Sequence, residues 1–464
     1  MRIVFATAEL APLVSVGGLA EAAGGLVAAL RERGVTVELV VPDYSGVPLV
    51  DEESFPLDVP QWAAPATARR GVIEGIGDIT LVEVPGIARP DPYTDATGAG
   101  WPDNADRFFA FSAAVASLTR SVRPDVLHCN DWHTAAALGL LDVPVPTVLT
   151  IHTLGYQGWT SGGWLDRITV RPDLFESYGG TNPLAGAIQL ASRVIAVSPT
   201  YAADILTPEG GFGLHTQLSE LGERLVGIRN GIDTGRWNPS TDPHIASRYD
   251  AGDMAGKATC RAALASELGW DPDTKDPIVA MVTRLVDQKG VDLALESARY
   301  ARNVPFRLVL LGSGEAWMAE WATRLAGEDP DHVWFHDGFD RALAHRMFAG
   351  ADLLVMPSRF EPCGLAQMQA MEYGTIPVVT PVGGLLDTVV DADVDRLAGN
   401  GFVAGAVDTA GMIDALHRAV RAWKQPRRRS SIQRRGMLGD WSWEGPATEH
   451  IDLYRDLIGR PGQL

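Results

Sequence analysis

Residues 1–45, MRIVFATAELAPLVSVGGLAEAAGGLVAALRERGVTVELVVPDYS, decide the fold. The apolar run Ile3-Val4-Phe5-Ala6 reads as a buried strand, and a glycine-containing loop follows it. Leu19, Ala22, Ala23, Leu26, Val27 and Leu30 then recur at helical spacing, Arg31 and Arg33 suit the last turn, and Gly34 is a natural C-terminal cap. A second apolar run at 35–41 completes a β-α-β unit. Continuous runs without polar alternation recur at 125–128, 147–151, 193–197 and 225–228, the pattern of parallel strands buried on both faces.

Beyond the turn-rich stretch 237–256 a second series begins, at 278–282, 307–311, 332–335, 353–356 and 377–380. The sequence therefore predicts two doubly wound α/β domains. Asn238-Pro239 and Asp242-Pro243 interrupt the periodicity, which places the boundary near 240–255 and predicts domains at 1–245 and 246–440, with a last segment at 441–464. Open parallel sheets bind ligands beyond the carboxyl ends of their strands, so an interdomain cleft is the expected seat of chemistry.

Composition narrows the function classes. The 464 residues are 46% hydrophobic and 21% charged, an ordinary globular balance able to fill more than one core. Lys plus Arg (39) against Asp plus Glu (58) gives a net charge of −19, which argues against nucleic acid or an anionic membrane as the main partner. An anionic ligand must then be held by a local cluster. Cys129, Cys260 and Cys363 are scattered without metal-ligand spacing, so neither a disulfide framework nor a metal site is indicated and a reducing interior is expected. The apolar run at 3–8 stops at Glu9, too short for a signal-peptide core, and no stretch approaches the ~18 apolar residues of a membrane span. A soluble cytoplasmic protein is expected. The basic run Lys424, Arg427, Arg428, Arg429, Arg434 and Arg435 reads as a solvated helix or loop.

The motifs lie at strand ends. Ser15-Val16-Gly17-Gly18-Leu19 follows the first strand and opens the first helix, where adjacent glycines let backbone N–H groups approach an anion; the same pair also serves a purely structural turn. Gly383-Gly384-Leu385 repeats the pattern in the second domain. Thr283-Arg284-Leu285-Val286-Asp287-Gln288-Lys289-Gly290 places two cations beside the expected cleft, a plausible diphosphate clamp. In Arg359-Phe360-Glu361-Pro362-Cys363-Gly364-Leu365, Glu361 is placed to bond sugar hydroxyls and the N–H groups after it to meet an anion, with Cys363 a small packed residue rather than a nucleophile. His128-Cys129-Asn130-Asp131-Trp132-His133 and Thr150-Ile151-His152-Thr153 end neighbouring first-domain strands, and with Trp132 and Tyr156 they read as sugar-binding rather than metal-binding. Asn230-Gly231-Ile232-Asp233 is a strand-end turn whose side chains are able to bond the local backbone.

Together these stretches resemble the glycogen and starch synthases, retaining glycosyltransferases of GT-B architecture, over almost the whole chain. The resemblance rests on Gly17-Gly18-Leu19, Asn130-Asp131-Trp132-His133-Thr134, Thr150-Ile151-His152 with Gly155-Tyr156-Gln157-Gly158, Val197-Ser198-Pro199-Thr200-Tyr201, Asn230-Gly231-Ile232-Asp233, Arg284 with Gln288-Lys289-Gly290, and Phe360-Glu361-Pro362-Cys363-Gly364-Leu365. It implies an essential acid at Glu361 beside the donor sugar, with His152 and Asp131 in the same chemistry. It implies a nucleotide-diphosphate site of Arg284, Lys289, Gly17, Gly18, Cys363, Gly364, Leu365, Gly383 and Gly384, with Phe339 against the base. Asn230, Trp132, His133, Tyr156 and Gln157 fall in the acceptor region, and Trp441-Ser442-Trp443-Glu444 looks like the family's helix that crosses back to the first domain. Partners are then a nucleotide-sugar donor and a saccharide acceptor, with no cofactor and no metal.

Four departures stand out from the family pattern: Ser15 for a lysine, Glu21 for an aspartate, Thr153 for an asparagine, and Thr380-Pro381 for an Arg-Arg pair. They are compatible with a rival reading, a pseudo-glycosyltransferase joining an activated cyclitol to an amino sugar; a third reading, a non-catalytic sugar or glucan binder, is opposed by the joint retention of Glu361, Arg284, Lys289 and His152. No carboxylate is an obvious nucleophile, so same-face attack assisted by the departing phosphate is the mechanism the resemblance favours.

Overall fold

The computed structural model describes residues 1–95, 97–300 and 305–459. The chain forms two compact units, Met1–Gly231 together with the residues from Trp443 onward, and Ile232–Ser442. The first contains β1 (Arg2–Ala6), β2 (Thr36–Pro42), β3 (Val50–Pro56), β4 (Thr67–Ile73), β5 (Gly77–Glu83), β6 (Val126–Asn130), β7 (Thr147–Ile151), β8 (Thr160–Ser161), β9 (Glu176–Ser177), β10 (Gly180–Thr181), β11 (Arg193–Ala196) and β12 (Leu225–Gly227). The second contains β13 (Ile278–Val282), β14 (Arg307–Gly312), β15 (Val333–Asp337), β16 (Leu353–Met356), β17 (Ile376–Val379) and β18 (Phe402–Val403).

In the first unit the main sheet runs β12-β11-β7-β6-β1-β2-β5-β4-β3. It is parallel from β12 to β5, and β4 and β3 extend it antiparallel. The chain leaves β1 toward β2 and returns to β6 on its other side, so the order reverses between β1 and β6. The sheet of the second unit, β15-β14-β13-β16-β17-β18, is parallel throughout and reverses between β13 and β16. Crevices form outside the carboxyl ends of the strands at such reversals, and the sequence motifs follow β1, β6, β7, β13 and β16. Each sheet has its own apolar core, Ile3, Phe5, Leu39 and Val148 being central in the first and Val279, Leu310, Leu353 and Val378 in the second.

The boundaries lie elsewhere than the sequence predicts, at 231/232 and 442/443 rather than 245/246 and 440/441. Residues 232–245 belong to the second unit because buried polar groups fasten them there. The Asp242 carboxylate accepts from Tyr373 Oη and pairs with His345 Nδ1 at 2.7 Å, and Ile232 N donates to Trp441 O. Nearby, Tyr249 Oη donates to the Tyr373 carbonyl at 2.8 Å. Of the expected C-terminal segment, residues 460–464 lie outside the described residues. The helix Glu444–Gly459 adds Ala447, Ile451, Tyr454 and Leu457 to the first core.

Trp443 is the key of that attachment. The first helix, Gly18–Glu32, has glycine at its centre, and a Cβ built on Gly25 would lie 2.0 Å from Trp443 Nε1. The missing side chain is the slot the indole fills. In an open helix Gly→Ala stabilises by about 1 kcal/mol; at Gly25 the sign should reverse, because overpacking against a rigid ring costs about 1–3 kcal/mol. Gly25→Ala should therefore lower the midpoint of denaturant unfolding, and combining it with Trp443→Ala should cost less than the sum of the two single changes. A raised midpoint would show that the slot is not filled.

Candidate active site

In the first unit the glycine loop is already satisfied from within. Glu9, buried at the end of β1, accepts from Val16 N at 2.7 Å and Gly17 N at 3.0 Å through Oε2, and from Tyr93 Oη at 2.8 Å through Oε1. The expected cradle for a ligand anion thus spends its Gly17 N–H on an internal carboxylate. Gly17 itself is extended, with no atom near the place a Cβ would take, and Gly18 opens the helix. Glu9 and Tyr93 were not singled out by the motifs, since their pairing spans 84 residues.

The reversal between β1 and β6 gathers Asn130, Asp131 and His152. Asp131 has φ +52°, a conformation rare outside glycine, asparagine and aspartate, and aims its buried carboxylate at the backbone of the next strand's loop. Oδ1 accepts from His152 N at 2.7 Å. Burial pushes the Asp131 carboxyl up to about 7, with Glu9 adding to the effect and the His152 and Thr153 N–H groups opposing it. His152 is pushed down to about 3, by burial and then by His450. Its Nε2 lies 3.0 Å from Asn130 Oδ1. Asn230 borders the same small cavity as Asn130, His152, Trp443 and His450.

Three acceptor-region residues are placed differently from expectation. His133 is a packed ring, stacked on Tyr93 at 4.8 Å and edge-on to Phe108, and burial followed by Arg107 pushes it down to about 3. Trp132 is half-buried against Phe108 and His133, and a Cβ on Gly158 would come within 2.2 Å of its ring. Gln157 spends its amide on structure, donating to Leu154 O and Phe212 O and accepting from Asn182 Nδ2. Tyr156 is 61% exposed and open to a partner.

In the second unit β13 and β16 carry the charges. Glu361 is 5% exposed, and its carboxylate meets Lys289 Nζ at 2.9 Å and 2.6 Å and accepts from Ser358 Oγ at 3.0 Å. Arg284 is exposed at the end of β13 and has no ion-pair partner among the described residues. The two loops are stapled by Arg359: its guanidinium takes Asp292 in two bonds of 2.9 Å and 2.6 Å and reaches Asp287 O, while its N–H meets Gln288 O. Gln288 Nε2 returns a bond to Phe360 O. Sequence reading passed over this staple, which joins residues 67 apart. Gly290, with φ +61°, is required there because a Cβ would sit 2.0 Å from Pro357 O.

The second glycine pair is also structural rather than an open anion cradle. Gly384 N donates to Glu361 O at 3.0 Å, and a Cβ on Gly383 or Gly384 would strike the Glu361 or Cys363 backbone. Cys363 is buried, Gly364 has φ +74°, and Gln367 Nε2 donates to the carbonyls of both, which fixes the turn before Leu365. Phe339 stands 79% exposed on the loop after β15. Among the described residues no group of three or more His, Cys, Asp or Glu side chains is placed to hold a metal ion, and no helix is long and apolar enough to cross a membrane.

Comparison with known proteins gives this geometry a family. Residues 2–220 match the model described as starch synthase catalytic domain, and residues 269–435 match glycosyl transferases group 1. A glycogen synthase of Alkalilimnicola ehrlichii is 41% identical over 486 aligned positions, covering 100% of both chains; one of Halorhodospira halophila is 41% identical with the same coverage. The solved catalytic domain of starch synthase IV from Arabidopsis thaliana, bound to ADP and acarbose, is 32% identical across 99% of each chain with a TM-score of 0.87. Sucrose-phosphate synthase from Thermosynechococcus elongatus shares the fold at 18% identity and a TM-score of 0.65. Neither the cyclitol-coupling reading nor the non-catalytic one is favoured by similarity of this extent. With two doubly wound sheets, one mainly and one wholly parallel, and end-to-end likeness of this kind, the chain belongs to the glycogen and starch synthase family of retaining GT-B glycosyltransferases.

Proposed function

We propose that the chain moves a glucosyl group from a nucleotide diphosphate sugar to the end of an α-glucan or oligosaccharide. The observation that carries this reading is the Lys289–Glu361–Ser358 constellation, with Arg284, exposed and without an ion-pair partner among the described residues, on the loop that also carries Lys289. Arg284 and Lys289 receive the diphosphate, Phe339 covers the base, and Glu361 hydrogen-bonds the donor sugar. In the first unit Asp131 and His152 are assigned to the sugar, and Asn230 and Tyr156 to the acceptor. As the bond from C1 to the phosphate oxygen breaks, charge grows on the diphosphate, where two cations stabilise it. The acceptor oxygen bonds C1 on the face the phosphate leaves, and its proton passes to the departing phosphate oxygen. Catalysis of this form needs no metal and no cofactor. We place the protein in the cytoplasm, where such substrates are dissolved.

Glu361→Gln should lower kcat by about 10²–10³-fold with the fold retained. Arg284→Ala should raise the donor KM without loss of stability, since the guanidinium supports no other group among the described residues; Lys289→Ala should cost both activity and stability, because it strands a buried carboxylate. Nucleotide release from labelled ADP-glucose in the presence of maltooligosaccharide, together with thermal unfolding, measures all three. Wild-type turnover in Glu361→Gln would remove that acid from the mechanism. A chelator should leave the rate unchanged, and a loss restored by magnesium would contradict the two-cation clamp.

The Asp131 carboxyl supplies a pH signature. Its charged form faces a sugar that gains positive character, so kcat/KM should climb as pH rises through about 7. Stability should move the other way: the unfolded carboxyl ionises near 4 and the folded one near 7, so folding loses support across that interval as pH increases. Asp131→Asn should flatten both trends, and an unchanged pH–rate profile in that variant would assign the limb to another group.

A further inference from the structure

Asn130 ends β6 with its side chain enclosed, 1% exposed. Its Nδ2 donates to Ala6 O at 3.0 Å, at the end of the neighbouring β1, and its Oδ1 lies 3.0 Å from His152 Nε2. Turning the amide over would set two oxygens against each other at the Ala6 carbonyl, so the hydrogen-bond network allows one orientation. An amide oxygen only accepts. The proton between Asn130 and His152 therefore belongs to Nε2. The ring is held in place from its backbone as well, through His152 N on Asp131 Oδ1.

A neutral imidazole protonated at Nε2 presents a lone pair at Nδ1. Burial keeps His152 neutral, with His450 adding to the effect; His450 and His128 are themselves pushed down by burial, and Asp131 accepts from backbone N–H groups. Among the described residues His152 Nδ1 has no hydrogen-bond partner.

We propose that Asn130 is a positioning residue that fixes His152 in its Nε2–H form, so that His152 meets the substrate through the Nδ1 lone pair, as an acceptor from a sugar hydroxyl and not as a proton donor. The acceptor half rests on the reading above that His152 borders the donor sugar; the tautomer does not. A histidine able to donate would instead protonate a departing group, a chemistry this geometry withholds.

The test is long-range proton–nitrogen correlation NMR on the full chain carrying ¹⁵N-labelled histidines, with the His152→Gln spectrum identifying the signals. Wild type should show Nε2 protonated and Nδ1 unprotonated from pH 6 to 8. In Asn130→Asp the new carboxylate should raise the His152 titration by about 1–3 pH units, and kcat/KM should gain, below the Asp131 limb near pH 7, a second acidic limb at that same lower midpoint. In Asn130→Ala the two tautomers should mix and kcat/KM fall by about 10-fold, with thermal unfolding confirming a folded chain. A wild-type spectrum with the proton on Nδ1, or a charged ring at neutral pH, overturns the proposal whatever the variants do. An unchanged kcat/KM in folded Asn130→Ala overturns the positioning role. If the tautomer is as stated and His152→Ala transfers glucose at the wild-type rate, the substrate reading of His152 fails and the acceptor role falls with it, while the tautomer stands.

Discussion

A carboxylate as enclosed as that of Glu361 is tolerable only with a counter-charge and further hydrogen bonds in place. Lys289 supplies the first and Ser358 the second. Because Lys289 and Glu361 stand on different loops, their pairing demands that the ends of β13 and β16 be brought together closely. Gly290 allows that approach at Pro357 O, and the Arg359–Asp292 pair holds it. Much of the second unit's loop structure follows from this single need. The same pair has a consequence for binding. Lys289 already answers a carboxylate, whereas Arg284 has no ion-pair partner among the described residues, so an anion meeting both would find one cation already committed and the other not.

Backbone N–H groups at the two glycine turns follow a different economy. Buried donors are almost always satisfied within the protein, and here Glu9 and the Glu361 carbonyl satisfy them. Glycine at 383 and 384 is then a requirement of close backbone contact, not evidence of a phosphate.

What the sequence made legible was whatever depends on neighbours along the chain. Every apolar run read as a parallel strand is one, from β1 through β17, because burial on both faces leaves a continuous signature. The antiparallel strands β3, exposed along nearly its whole length, and β4, half-buried, are interrupted by charges such as Glu52, Glu53, Arg69 and Arg70 and carry no such signature. Pairings distant in sequence were equally silent. Asp242 with His345 and Tyr373, Glu9 with Tyr93, and Arg359 with Asp292 each join residues whose separate contexts look like ordinary turns. The partners of His133 and Gln157 were silent for a related reason: packing against Tyr93 and bonding to Asn182 join residues far apart in the chain.

The departures from the family pattern take on different meanings once placed. Ser15 is exposed at the mouth of the glycine loop, so its lost positive charge concerns whatever approaches from solvent. Thr380 is fully buried, and its hydroxyl donates to Ser358 O at 2.6 Å while Ser358 Oγ donates to Glu361. A positive side chain could not occupy that enclosed spot without its own counter-charge, whereas a threonine satisfies a carbonyl and braces the residue that orients the acid. Thr153 bonds locally, accepting from Gly155 N. A departure that shores up the Glu361 loop is consistent with an unchanged reaction, because it keeps the enclosed acid and its Ser358 partner in place.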